Sequence, residues 1–247
     1  MQRIMERVEA HDRRGTIESF LANRLLASLP ADEVGALAPF LERVSLSLGA
    51  TLYEPGGRQP YIYFPTDSIV SLLYVLENGA SAEIAVTGNE GVVGISLFMG
   101  GETMPARAVV QSAGSAYRLK ASILKHEFRR GRKLHNALLR FTQAVITQMA
   151  QTAVCNRHHS VDQQLCRWLL LSLDRLRTNQ LDMTQELIAD MLGVRRVGVT
   201  EAARKLHATG LIDYHRGHIT VLDRPRMEKR VCECYAVVKR EYDRILR

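Results

Sequence analysis

Long apolar runs are missing from this sequence. Nowhere does one approach the roughly 18 residues that a membrane-spanning helix needs. The first 15 residues alternate charges and are too polar for a secretory signal, so the expected compartment is the cytoplasm, without a membrane partner. Cysteine is absent before position 155. The four present (Cys155, Cys166, Cys232 and Cys234) lie in the second half and are expected to be free thiols in a reducing cytosol. Also missing are a P-loop, a nucleophile elbow, an HExxH helix and spaced zinc-type cysteine pairs. The expectation is therefore a protein that is not an enzyme and holds no cofactor or metal.

What is present is a chain of 247 residues, long enough for two domains with their own cores, and a formal charge of +7. The excess is uneven. From Arg157 onward there are 17 Lys/Arg against 12 Asp/Glu, while the preceding 156 residues hold 16 against 14. Positive charge is concentrated where a polyanion would be bound.

The texture along the chain changes twice. Phe20, Leu21, Leu25 and Leu26 recur at helical spacing from Ile17, and Pro30-Ala31-Asp32 restarts a helix through Leu41. From Val44 to Lys120, short runs rich in Val, Ile, Tyr and Leu alternate with glycine-bearing turns. Runs at 62–64, 69–76, 82–86, 106–111 and 116–119 read as strands. Glu77-Asn78-Gly79-Ala80 reads as a hairpin turn, so this region is expected to be an antiparallel roll or barrel.

After Ala121 the period is helical again. Leu134, Leu138, Phe141, Val145 and Met149 step by 4, 3, 4 and 4 residues on a helix expected from about 131 to 154. A single apolar seam on a helix of that length needs a partner. A second copy of the chain is the preferred one, and packing on the β region is the alternative. Ser160 with Gln163 forms a capping box that starts a further helix at Val161, which places an interdomain hinge at 155–160.

The stretch Thr184–Leu222 carries the most specific pattern. Thr184 can cap a short helix with Glu186 in its first turn, and Leu187, Ile188, Met191 and Leu192 form its buried side. Gly193 permits the left-handed turn that ends it, and Val194 fills the corner. In the next helix Val199, Ala202, Ala203 and Leu206 point inward, which leaves Arg196, Val197, Thr200, Glu201 and Arg204 outward. Arg195 and Arg196 oppose the positive end of that helix, a choice that makes sense if a polyanion arrives there. Arg196 could bond guanine O6 and N7, Glu201 could accept from cytosine N4, and Val197 could touch a thymine methyl. The flanking runs 211–214 and 218–222 close a hairpin over His215-Arg216-Gly217, where Arg216 and His218 are expected to meet phosphates. Together with Thr184 and Gln185 these residues outline a winged helix-turn-helix that binds double-stranded DNA. Arg224–Arg247 reads as one closing helix, on which Cys232 and Cys234 would stand about 200° apart and should not chelate one ion together.

This order of elements, with MTQELIADMLGVRRVGVTEAARKL and the basic hairpin, resembles the Crp/Fnr family of bacterial regulators over roughly residues 23–223. The resemblance implies an α+β fold: an N-terminal antiparallel β roll (cupin-like, a double-stranded β-helix), a long dimerisation helix and a C-terminal winged helix-turn-helix. The corresponding divisions are 1–130, 131–156 and 157–247. It implies a homodimer on a palindromic site, working with RNA polymerase. Arg196 falls where the family's usual guanine-reading arginine stands. Val197 replaces a glutamate and Glu201 an arginine of the cyclic-AMP-responsive members, which implies a different operator.

The sensory half departs further. In EGVVGISLFMGGETMPARAVV, Ile95 stands for the glutamate that holds the ribose and Met104-Pro105 for the Arg-Ser pair that holds the phosphate. Arg107 is near, but expected on the other strand face, so cyclic AMP binding is not expected and the effector is unknown. The absence of cysteines before Cys155 also argues against the family's oxygen-sensing iron–sulfur mechanism. Cys155, His158 and His159 have ligand chemistry at the hinge, but would need a fourth ligand and suitable geometry to hold a metal. The competing expectation is a sensor for another small ligand or protein that binds DNA only non-specifically.

Overall fold

The computed structural model describes residues 19–245, so the opening charged stretch lies outside the described residues. Two antiparallel sheets enclose the N-terminal core. One has the order β1-β7-β3, from β1 (Glu42–Leu46), β3 (Tyr61–Pro65) and β7 (Gly114–Lys120). The other has the order β2-β6-β4-β5, from β2 (Thr51–Tyr53), β4 (Ile69–Val75), β5 (Ser81–Thr87) and β6 (Arg107–Ser112). All five expected strands are found. β1 and β2 were not expected, because ERVSL and TLY are too polar or too short to show a period, and their ladders with β7 and β6 define them. The expected turn between β4 and β5 forms, with Gly79 at φ 83° and Asn78 Oδ1 accepting from the amide of Ala80.

Before the roll, the helix expected from Ile17 is interrupted at Asn23. Its Oδ1 caps α1 (Arg24–Ala27) by accepting from Leu26 N, while its Nδ2 donates to the carbonyls of Pro65 and Gly91. A fully buried amide with three partners outcompetes helix continuation. The next helix, α2 (Ala31–Leu37), stops earlier than expected, passing into a 3₁₀ turn that contains Pro39.

α3 (Ala121–Arg129) leads into α4 (Lys133–His158), 26 residues and about 39 Å long. Its N-terminus lacks a local side-chain cap. Glu33 of α2 supplies one from a distance, its two carboxylate oxygens each accepting at 2.9 Å from Lys133 N and Leu134 N. The expected dimer seam is corrected here. Leu134, Leu138, Phe141 and Val145 are all at most 2% exposed within one chain, and Met149 is half-buried against the same core. Phe141 lies so close to the loop before β6 that a Cβ on Gly91 would stand 1.8 Å from its ring. The alternative reading, packing on the β region, therefore describes this stripe. A second stripe remains exposed: Asn136, Leu139, Gln143, Ile146, Ala150 and Ala153, alternating by three and four residues.

α5 (Val161–Leu173) starts at the anticipated Ser160–Gln163 capping box. Then come β8 (Gln180–Asp182), α6 (Gln185–Leu192), α7 (Arg196–Ala208), and the hairpin β9 (Ile212–His215) and β10 (His218–Val221), forming a sheet of order β8-β10-β9. The closing helix is two helices, not one. α8 (Arg224–Arg230) ends where Val231 turns extended, and α9 (Glu233–Ile245) sets out anew. The break lets α8 reach α5, with Arg230 bonding Asp162, while α9 lies along α4 with Tyr242 beside Phe141. No described helix is long and apolar enough to cross a membrane.

Candidate nucleic-acid interface

α6 and α7 are built by local chemistry. Thr184 Oγ1 accepts from Leu187 N, and Glu186 occupies the first turn of α6. Gly193, at φ 65°, ends the helix, and Val194 N closes back onto Ala189 O. On α7, Val199, Ala202, Ala203 and Leu206 are buried, so the helix can lie only one way on the domain core. Arg195, Arg196, Val197, Thr200, Glu201 and Arg204 all face outward. Val197 is 61% exposed, an apolar side chain left largely uncovered by the described residues.

Arg195 N-caps α7 without a side-chain bond, so amides at this positive helix end stay open to an anion beside two guanidinium groups. The Arg196 guanidinium lies 3.6 Å from Glu186, with both side chains about two-thirds exposed. An ion pair so wetted is weak and can give way to a phosphate or a base. Thr200 Oγ1 stands 2.7 Å from Gln185 Oε1, which joins the exposed faces of α6 and α7.

Opposite lies the wing. β9 and β10 are linked by Arg216-Gly217 alone, with His215 paired to His218. Both linking residues have positive φ, 49° and 86°, the backbone of a type I′ turn. Arg216 is the only non-glycine residue with positive φ among the described residues. An arginine held in the left-handed region costs on the order of 1 kcal/mol or more, which points to a use for its side chain. Tyr214, on the wing, donates to Met183 O at 2.9 Å and fixes the hairpin against the start of α6. Sequence reading missed Tyr214; its signal was an aromatic at a strand position that faces the helix pair.

Thr184, Gln185, Arg196, Tyr214, Arg216 and Gly217 thus line one cleft between helix and wing. Glu201 and Arg204 continue along the exposed face of α7. His218 is placed differently from a free phosphate contact: its Nδ1 lies 2.6 Å from Asp182 on β8. The four positions marked for the sensory ligand have separate partners. Ile95 is buried in the apolar core, Met104 packs on that core and accepts from Tyr53 OH, Pro105 is exposed, and Arg107 donates to Glu54 at 2.7 Å.

The family model described as a Crp-like helix-turn-helix domain matches residues 163–230. A search of curated proteins gives no match. Solved structures do match. One, described as a Crp/Fnr-family transcriptional regulator from Eubacterium rectale, is 18% identical with a TM-score of 0.65, over 83% of this chain and 96% of that one. FixK2 from Bradyrhizobium japonicum is 18% identical with a TM-score of 0.64, over 78% of this chain and 98% of that one. The regulator CLP from Xanthomonas campestris, described as c-di-GMP responsive, is 14% identical with a TM-score of 0.61, over 78% of this chain and 100% of that one. The chain has the fold of Crp/Fnr-type transcriptional regulators and carries a Crp-like helix-turn-helix DNA-binding domain.

Proposed function

We propose that this protein is a sequence-specific transcriptional regulator that binds a palindromic operator as a homodimer and does not respond to cyclic AMP. One observation carries the reading: Arg196, Val197, Glu201 and Arg204 stand exposed along α7 while Arg216 is held in a strained turn across the cleft. α7 reads base edges in the major groove, and Arg216 holds a phosphate. Residues 1–130 serve as the sensory part, the long helix as the dimer element, and 157–247 as the DNA-binding part.

The dimer is carried by the exposed stripe of α4 around Leu139 and Ile146, rather than by the buried Leu134–Met149 seam. Its 3-4 spacing is that of two helices wound together. Against cyclic AMP stands the phosphate position: Met104 and Pro105 offer no charge, and Arg107 is engaged by Glu54.

Footprinting on the protein's own promoter region tests the reading. Arg196→Ala is expected to weaken the specific complex by about 1–3 kcal/mol and relax base preference at one position of each half-site. Arg216→Ala is expected to weaken all sequences alike and to reduce the salt slope by about one. Equal affinity of the wild type for promoter and random duplexes, with no footprint, would leave only a non-specific DNA-binding sensor.

A further inference from the structure

Away from the DNA-facing side, four ligand-bearing residues converge where α4 ends and α9 begins. Ligand atoms of Cys155, His159, Cys232 and Cys234 all lie within 4.8 Å of one another. Cys155 and His159 are four residues apart at the end of α4, so they share a face. Cys232 sits in the break after α8 and Cys234 in the first turn of α9. On one continuous helix these two would diverge, and that expectation is corrected by the break at Val231–Cys232, which turns both sulfurs inward. His158 is exposed and lies outside the group.

The spacing matches one ion. With bonds of about 2.3 Å to sulfur and about 2.05 Å to nitrogen, tetrahedral angles put two sulfurs about 3.8 Å apart and sulfur and nitrogen about 3.6 Å apart. Here Cys155 Sγ and Cys232 Sγ are 3.6 Å apart, as are Cys234 Sγ and His159 Nδ1. A multi-iron cluster would spread its cysteines over different irons, wider than this.

The surroundings also fit. The three cysteines are at most 4% exposed, and two of them stand at the N-terminal end of α9, whose dipole favours thiolate. His159 aims Nδ1 at the sulfurs while its Nε2 lies 3.4 Å from the Glu233 carboxylate, the carboxylate–histidine–metal arrangement that orients a ligating imidazole. Arg167 is 5% exposed, donates to Thr152 Oγ1, and has a buried Nε without a partner. Among the described residues no carboxylate lies within ion-pair distance of it. Three thiolates, a neutral imidazole and a divalent ion carry one negative charge, which this guanidinium would balance. Three cysteines packing as small apolar side chains would not need the histidine, the arginine or the carboxylate.

We propose that Cys155, His159, Cys232 and Cys234 bind one zinc ion, in a closed tetrahedral site that fastens the end of α4 to the start of α9. Three thiols release their protons to solvent as the ion binds. Soft thiolate donors favour zinc over magnesium or calcium, and four protein ligands leave no open position for catalysis.

The test uses the full chain, stripped by chelator under reducing conditions, then titrated with zinc against a chromophoric chelator and, in parallel, with cobalt(II). The expected result is one ion per chain, with the cobalt form showing tetrahedral ligand-field bands and thiolate charge transfer. Cys234→Ser and His159→Ala should each weaken binding at least about 100-fold, and Glu233→Gln about 10-fold. His158→Ala and Cys166→Ser should bind as wild type does. His159→Cys should keep the ion with stronger charge transfer, which separates loss of a ligand from loss of the fold. The proposal fails if stripped wild type, still folded by circular dichroism, takes up no zinc, or if Cys234→Ser binds like wild type. It fails equally if cobalt gives only a pale octahedral spectrum, or if Cys155 and Cys232 form a disulfide whose reduced form still refuses metal.

Discussion

Glu83 shows how one buried side chain can set a pH response. The residue is 8% exposed, with Ser71 Oγ 2.6 Å from its carboxylate; Ser71 Oγ also lies 2.8 Å from Gln111 Oε1, and Gln111 Nε2 donates to Ser172 on α5. The serine has one proton for two acceptors. If Glu83 is protonated it can donate to Ser71, and Ser71 can then donate to Gln111. Burial pushes Glu83 up to about 7, opposed by the Ser71 bond and by the charges of Arg167 and Arg175. Because the folded value lies above the unfolded one, the neutral carboxyl stabilises the fold at low pH. That stability is lost as pH rises from the ordinary carboxylate range through about 7. Glu83→Gln should therefore gain on wild type between pH 5 and 8, by as much as about 3 kcal/mol. Urea unfolding of both proteins at several pH values measures this; a difference that does not change with pH would show that Glu83 does not titrate there.

At the scale of the element, α4 carries two stripes with coiled-coil spacing, and the described residues leave only one uncovered. The more apolar stripe went to the protein's own core, because burying Leu134, Leu138, Phe141 and Val145 against the roll and α9 removes more apolar surface from water. The exposed stripe can include Gln143 and Ala150 because a helix–helix seam tolerates polar and small residues. The two stripes give opposite predictions. Ile146→Glu should convert a dimer to a monomer in sedimentation and leave the fold intact. Val145→Ala should keep the dimer and cost roughly 1–3 kcal/mol of stability in denaturant unfolding. The period of α4 was legible in the sequence; which face met which partner was not, since both faces satisfy the same spacing.

Across the whole molecule, a buried ion pair joins the roll to the helices behind it. Arg175 Nε and Glu90 lie 2.7 Å apart with both side chains 4% exposed, and Arg175 also donates to Gln148 of α4 and stacks over Tyr242 of α9. Gly88 and Gly91 flank Glu90 because a Cβ at either would overlap Arg175 or Phe141. In the sequence these glycines read only as turn markers. Glu90→Ala would strand the guanidinium and should cost about 3–5 kcal/mol. With one apolar core running from the roll through the winged helix, unfolding should remain a single calorimetric transition in wild type. Two separated transitions in wild type would show that the halves unfold independently.

The sequence by itself determined the winged helix-turn-helix half. Thr184, Gly193 and the inward stripe of α7 act through neighbours a few residues away, and such local rules survive without tertiary information. It likewise determined the strand texture of the roll, because short runs rich in Val, Ile, Tyr and Leu bounded by glycine turns are a local signal. Only the tertiary structure decided which stripe of α4 is free, that Glu90 meets Arg175, and that Cys155 and His159 meet Cys232 and Cys234. These depend on contacts across some 70 to 85 positions, where no local period carries information. The break at Val231–Cys232 follows the same logic: α8 and α9 pack on different partners, and that demand, not the residues between them, ends one helix and starts the other.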